Sequence, residues 1–175
     1  MLITISGLPG SGTSTVARAV ATSLGLEHFD GGQVFRALAA EAGLDVHAFG
    51  AVAQADPGID IEFDSRLAVR AKAGGVVLES RLAGWIASNE DLDGLTVWIG
   101  CQPDERARRV ARRERSTLAA ARAQNDAREA SEAERYWSSY GIDLADMAPY
   151  ALLLDSTSSQ PGDLVTAIVA RAQPT

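Results

Sequence analysis

Apolar residues along this chain fall into two kinds of run. Leu2-Ile-Thr-Ile5 alternates and is rich in β-branched residues, while Val76-Val-Leu78, Leu95-Thr-Val-Trp-Ile99 and Tyr150-Ala-Leu-Leu-Leu154 are continuous and apolar. Short continuous runs of this kind mark strands buried on both faces, as in parallel sheets. Between them the spacing changes to the helical period. Val16, Ala17, Val20 and Leu24 share one face of a segment that starts near Thr13 and stops at Gly25. Further helices are predicted over about 32–43, 46–55, 59–73, 103–115, 117–139 and 161–172. Asp56-Pro-Gly58 breaks two of them, and Ser156-Thr-Ser-Ser-Gln-Pro161 is a loop whose proline starts the last. Strands alternating with helices imply an α/β fold: a parallel sheet covered by helices on both faces, three layers in all.

Length and composition narrow this picture. The 175 residues, 46% of them hydrophobic, suit one well-buried domain. A net charge of −7 and a pI near 4.8 leave no broad basic face for nucleic acid. The single cysteine, Cys101, precludes an internal disulfide and fits a reducing compartment. No stretch approaches the roughly 18 apolar residues of a membrane span. The expectation is a cytoplasmic protein with no membrane or nucleic-acid partner. Fifteen of the 16 basic residues are arginine, with Lys72 the one lysine. Such a bias reflects composition, so arginine positions rather than arginine number carry weight.

Candidate chemistry begins after the first strand. Gly7-Leu-Pro-Gly-Ser-Gly-Thr-Ser-Thr15 follows the phosphate-loop pattern G-x-x-x-x-G-K-[ST] except that Thr13 replaces the lysine. Glycines there let backbone N–H groups turn inward around phosphate oxygens, and the following helix adds its positive end. Ser14 occupies the hydroxyl position that ligates Mg²⁺ in such loops. The bland alternative is a structural strand-to-helix turn. In Phe29-Asp-Gly-Gly-Gln-Val-Phe-Arg36, Asp30 suits a Mg²⁺-bound water or a substrate hydroxyl and Arg36 a phosphate; a helix N-cap and a surface arginine explain them equally well. Glu79 and Arg81 follow on a buried strand, at the end of a sheet where ligands bind in open α/β folds; the alternative is a Glu–Arg pair that merely covers the sheet end.

Two helical stretches add cations. Arg128, Glu132 and Arg135 are spaced i, i+4 and i+7 on one face, either to read a nucleobase edge or as a salt-bridge ladder, which is the stronger reading taken alone. The run Glu105-Arg-Ala-Arg-Arg-Val-Ala-Arg-Arg-Glu-Arg115 places Arg109 and Arg113 on a common face. The hairpin of helices over 103–139 is either a mobile lid or a solvated pair. His28, His47 and Cys101 have no ligand-like companions in sequence and are expected to be structural.

Across nearly its whole length the chain resembles the short archaeal type of cytidylate kinase, a P-loop nucleoside monophosphate kinase. The resemblance is carried by SGLPGSGTST, GGQVFR, VVLESRLAGW, RYWSSYGIDLADM and LLLDSTSS. LAGW and YGID are far more specific than a glycine loop. In that family the loop often reads GSGTT, so Thr13 fits it. Ser80, where glycine is usual, and Asp30 depart from the pattern.

The resemblance implies a P-loop NTPase fold with a helical NMP-binding insert and a helical lid in one domain of 1–175. The core would be about 1–30, 74–105 and 148–175, the NMP-binding region about 31–73, and the lid and substrate helices about 106–147. It further implies that Gly7, Leu8, Pro9, Gly10, Ser11, Gly12, Thr13, Ser14 and Thr15, with Arg109, bind ATP, and that Ser14 ligates Mg²⁺. Arg36, Arg81, Arg113 and Arg128 would be catalytic. Asp30, Arg36, Arg81, Arg128, Glu132 and Arg135 would bind the acceptor, and Ser156 to Ser159 would lie beside adenine. The expected reaction is ATP-dependent phosphorylation of CMP, and of dCMP, by a monomer. The alternatives are another nucleotide or small-metabolite kinase on the same fold, and a nucleotide-binding regulatory module without catalysis.

Overall fold

A computed structural model describes residues 1–173, the side chain of His47 excepted. Five parallel strands form one sheet in the order β2-β3-β1-β4-β5: β1 (Leu2–Ser6), β2 (Glu27–Asp30), β3 (Val76–Glu79), β4 (Leu95–Gly100) and β5 (Leu152–Asp155). The helices are α1 (Thr13–Leu24), α2 (Gly31–Glu41), α3 (Val46–Ala55), α4 (Pro57–Lys72), α5 (Ala83–Asn89), α6 (Pro103–Glu114), α7 (Leu118–Tyr140) and α8 (Pro161–Ala172).

Period-two alternation divides the strand side chains between two cores. Ile3, Ile5, Val77, Val97 and Ile99 pack on α1 and α8, through Val16, Val20, Leu164 and Ile168. Leu2, Val76 and Leu78 face the other way, onto α4, α5 and the end of α7 through Phe63, Leu67, Ile86 and Tyr136. Ile3, Ile5 and Leu78 have no exposed surface. Truncating any of them to Ala should cost about 2–5 kcal/mol. This three-layer α/β/α arrangement is the one that the alternation of strand and helix predicts.

Three local differences have physical causes. β2 escapes the apolar pattern because Glu27-His28-Phe29-Asp30 is a half-buried edge strand with one apolar residue. β5 begins at Leu152 rather than Tyr150, and it is an edge strand of alternating burial rather than a fully buried one, with Leu153 56% exposed. α5 has only seven residues and contains Gly84, which reads as a breaker. A Cβ at Gly84 would run into the ring of Tyr150, so packing rather than a turn requires glycine there.

The cationic hairpin takes its shape from local signals. α6 has Pro103 in its first turn, Asp104 and Glu105 beside it, and Arg112 and Arg113 in its last turn, all favourable to the helix dipole. Arg115 adopts the left-handed conformation at φ 53°, and Thr117 Oγ1 then accepts from the Ala120 amide to cap α7.

Candidate active site

The loop from Gly7 to Gly12 leaves β1 in the middle of the sheet and enters α1. Gly10 and Gly12 stand at φ 85° and 90°, where side chains with a Cβ are strained. Close approach adds a second demand. A Cβ on Gly7 would lie 2.6 Å from the Ile99 carbonyl oxygen, and one on Gly10 would lie 2.6 Å from that of Arg106. The Ser11 amide donates to the Leu8 carbonyl at 3.1 Å and closes the turn.

Alternate loop carbonyls are taken by side chains from elsewhere. The Gly7 carbonyl accepts from Arg81 Nη1. The Pro9 carbonyl accepts from Arg106 Nη1 at 3.3 Å. The Ser11 carbonyl accepts from Ser156 Oγ at 2.7 Å and from Arg109 Nη1 at 3.4 Å. Among the described residues, the amides of Leu8, Gly10 and Gly12 meet no acceptor.

At the carboxyl end of β3, Glu79 is buried and gathers three partners. Its Oε1 accepts from Thr13 Oγ1 at 2.8 Å and Ser14 Oγ at 2.6 Å, and its Oε2 lies 2.9 Å from His28 Nε2. Thr13 thus points its hydroxyl at a carboxylate where a phosphate loop ordinarily carries an ammonium. Ser14 lies at the exposed mouth of the loop. A hydroxyl and a carboxylate this close form a hard-oxygen set suited to Mg²⁺.

Arg81 joins the loop to α7. Its Nε donates to Glu132 Oε2 at 2.6 Å and its Nη2 to Oε1 at 3.3 Å, while Arg128 Nε donates to Oε1 at 2.8 Å. Burial opposes the charge on Glu132, but the Arg81 and Arg128 guanidiniums overcome it and hold the carboxyl down to about 2. Arg81 in turn is desolvated, yet Glu132 keeps it more firmly protonated than an ordinary arginine. With three N–H donors on its two oxygens, Glu132 retains about one lone pair, on Oε2.

Arg135 does not extend this pair into a ladder. Its Nε and Nη2 form a bidentate pair with Asp60 of α4 at 2.8 and 2.5 Å, with the guanidinium near the rings of Phe35 and Tyr136. Its Nη1 faces Gly50 of α3, 3.7 Å from where a Cβ would stand. Asp30 caps α2 by accepting from the Gln33 amide at 3.0 Å, and also accepts from Arg36 Nη2 at 3.4 Å. Arg36 is otherwise open to solvent, its side chain 56% exposed. Arg109 donates to the Ser156 carbonyl at 2.6 Å and to Ser156 Oγ at 3.1 Å, so it bridges the loop after β5 to the phosphate loop. Arg113 stands apart, paired at 2.8 Å with its neighbour Glu114 and largely exposed.

The sequence-predicted residues therefore fall into three groups. Residues 7–15, Arg81, Arg109, Arg128 and Glu132 converge at the ends of β1 and β3. Asp30, Arg36 and Arg135 line the α2–α4 side. Arg113 is not brought to the loop. Sequence reasoning passes over Arg106, Glu129 and Asp60, and takes His28, which lies against Glu79, as structural. Arg106 is 4% exposed; its Nε donates to the Cys101 carbonyl at 3.2 Å and its two terminal nitrogens fork onto Glu129. Its position four residues before buried Val110 places it on the inward stripe of α6, the one signal that sets it apart from the other arginines of that run.

The sequence profile of the Cytidylate kinase-like family matches residues 2–158. Cytidylate kinase of Halobacterium salinarum is 46% identical over 173 residues, covering 98% of this chain and 88% of that protein. That of Archaeoglobus fulgidus is 42% identical over 170 residues, covering 97% and 93%. Among solved structures, shikimate kinase from Bacteroides thetaiotaomicron superposes with a TM-score of 0.65 at 16% identity, covering 98% of this chain and 95% of its own. A gluconokinase from Sinorhizobium meliloti gives 0.61 at 14%, covering 97% and 91%. These two establish the P-loop kinase fold, and the sequence matches establish more: the chain belongs to the cytidylate kinase-like family.

Proposed function

We propose that the protein transfers the γ-phosphoryl group of ATP to CMP, giving CDP and ADP. One observation carries this reading: the match to cytidylate kinases runs through the whole chain and so includes the loop, the Arg81–Glu132–Arg128 cluster and Arg135 together.

The acceptor phosphate already carries an anionic oxygen, so no side chain needs to remove a proton. That oxygen attacks the γ-phosphorus, the bond to the β-phosphate oxygen breaks, and ADP leaves. Catalysis then rests on positioning and on neutralising charge. The amides of residues 8–12 cradle the donor phosphates. Arg36 and Arg81 hold the acceptor phosphate, with Arg128 behind Arg81. Arg135, oriented by Asp60, presents Nη1 toward the space between α3 and α7 where the base is bound. Arg109, with the loop from Ser156 to Ser159, borders the adenosine side.

Ser14 would hold Mg²⁺ directly, and Glu79 would hold it through water. Mg²⁺ held by these residues would supply neutralisation of donor-phosphate charge. α6 and α7 exclude water from the reacting groups, because an open site hydrolyses ATP. The core, NMP-binding region and lid divide at the boundaries stated above.

A coupled assay of ADP release across CMP, dCMP, UMP, AMP and shikimate tests this. CMP is expected to be the best acceptor or to share that place with dCMP. ADP release that ignores CMP would overturn the proposal, in favour of another kinase if a different acceptor works and of a binding module if none does.

A further inference from the structure

We infer that Arg106 is a positioning residue that pre-orders the phosphate loop from outside. The inference rests on the reading of residues 7–15 as the donor-phosphate site.

Its basis is the alternation of loop contacts. In a trans peptide the C=O of one residue and the N–H of the next point in opposite directions. The Gly7, Pro9 and Ser11 carbonyls are each drawn outward by a guanidinium, from Arg81, Arg106 and Arg109 respectively. The amides of Leu8, Gly10 and Gly12 are thereby turned to the other side together, and these are the loop amides left without an acceptor. A concave row of N–H groups results, the arrangement that binds phosphate. A cation on each carbonyl also polarises the peptide and strengthens its N–H as a donor.

The three arginines differ in how they are held. Arg81 lies beside Arg128 at the acceptor side, and Arg109 is partly open toward the Ser156 loop. Arg106 is buried on every side, with its fork on Glu129, its Nε on the Cys101 carbonyl and its own backbone packed against Gly10. Four of its five donors are engaged and the side chain is buried, so its action on phosphate passes through the Pro9–Gly10 peptide. Lysine at position 13 would meet Glu79 rather than the loop carbonyls, because Thr13 Oγ1 already lies 2.8 Å from that carboxylate.

The test separates loop order from helix pairing. Tripolyphosphate and CMP binding are measured by calorimetry for wild type, Arg106→Met, Arg106→Lys and Arg122→Met, with ATP and CMP kinetics alongside. Arg122 pairs with Asp104 and also ties α7 to α6, but it does not touch the loop. Arg106→Met should weaken tripolyphosphate and raise the ATP KM by about tenfold or more, the scale of one charge-assisted hydrogen bond, with the CMP KM little changed. Arg106→Lys, which keeps a charge but cannot fork, should show a smaller loss of the same kind, and it decides the matter if the Met variant does not fold. Arg122→Met should leave tripolyphosphate affinity unchanged. Wild-type tripolyphosphate affinity in both Arg106 variants, or an equal loss in Arg122→Met, would overturn the inference. Wild type that binds neither ATP nor tripolyphosphate would instead overturn the reading of the loop itself.

Discussion

Arg81 Nε meets Glu132 Oε2 at 2.6 Å, and across 51 residues of sequence this contact fastens α7 to the end of β3. Both side chains are nearly buried. A buried pair of this kind is costly to break from one side, since the survivor keeps its charge with fewer partners. The same arginine holds the Gly7 carbonyl, so the loop and α7 share one guanidinium.

Arg36 and Arg81 should therefore give different phenotypes on truncation even if both hold the acceptor phosphate. Arg36→Ala removes an exposed side chain and should raise the CMP KM and lower kcat with little change in Tm. Arg81→Ala should do the same and also cost about 1–3 kcal/mol of stability, because buried Glu132 is left with Arg128 Nε as its remaining donor. Thermal melts beside CMP kinetics check this. Efficient phosphorylation of cytidine, which has no phosphate for either arginine, would reassign the acceptor site.

Glu132→Gln tests base reading against arginine holding. The free lone pair on Oε2 can accept from the cytosine C4 amino group and meets a carbonyl oxygen, itself an acceptor, at C4 of uracil. CMP efficiency should fall, with a relative gain for UMP of about 1–3 kcal/mol. An unchanged CMP/UMP ratio in kcat/KM, with a lowered Tm, would assign Glu132 to holding Arg81 and Arg128 alone.

The fold was legible wherever burial was uniform. Val76-Val-Leu78 and Leu95-Thr-Val-Trp-Ile99 are apolar because helices cover both faces, and the residue pattern reports that directly. β2 is illegible for the converse reason, an edge position in which Glu27 and His28 need no burial. For the site, the loop and Glu79 follow from local order along the chain. The partners of the arginines do not, because Asp60 reaches Arg135 from 75 residues away and Glu129 reaches Arg106 from 23. Helical spacing suggested an intrahelical ladder for Arg135, and tertiary pairing replaced it.

Asp64 gives a pH-dependent stability. Burial pushes its carboxyl up to about 7, against the Tyr140 hydroxyl that donates to it at 2.8 Å and with nearby Asp60 adding repulsion. In the unfolded chain it titrates near 3.8. Between these values the folded state binds the proton and the unfolded state does not, so stability falls as pH rises from about 4 to 7 and is flat above. Asp64→Asn should remove that slope and stabilise the protein at pH 8 by roughly 1–2 kcal/mol, a value discounted because the carboxyl borders a cleft open to solvent. Denaturant melts of both proteins at pH 5 and pH 8 measure it, and equal differences at the two pH values would refute it.

Among the arginines of α6, Arg109 is the one on which the missing charge of position 13 can be tested without moving the helix. It already donates to the Ser11 carbonyl at 3.4 Å, and its Nη1 would lie 3.7 Å from a Cβ placed on Gly12, so it stands at the loop without any movement of α6. Arg113, one turn further along α6, is exposed and paired with Glu114, and Arg128 is engaged by Glu132. Arg113 reaches the loop only if the hairpin turns inward. Arg109→Ala should consequently cost about 10²-fold in kcat, the scale of one lost transition-state donor. An equal or larger loss in Arg113→Ala or Arg128→Ala would show that the hairpin closes during turnover and brings its own cations in. Thr13→Lys should add little to wild type, because the new ammonium meets Glu79 first. Wild type inactive toward CMP, with activity gained in Thr13→Lys, would mean that no arginine fills the place of the lysine.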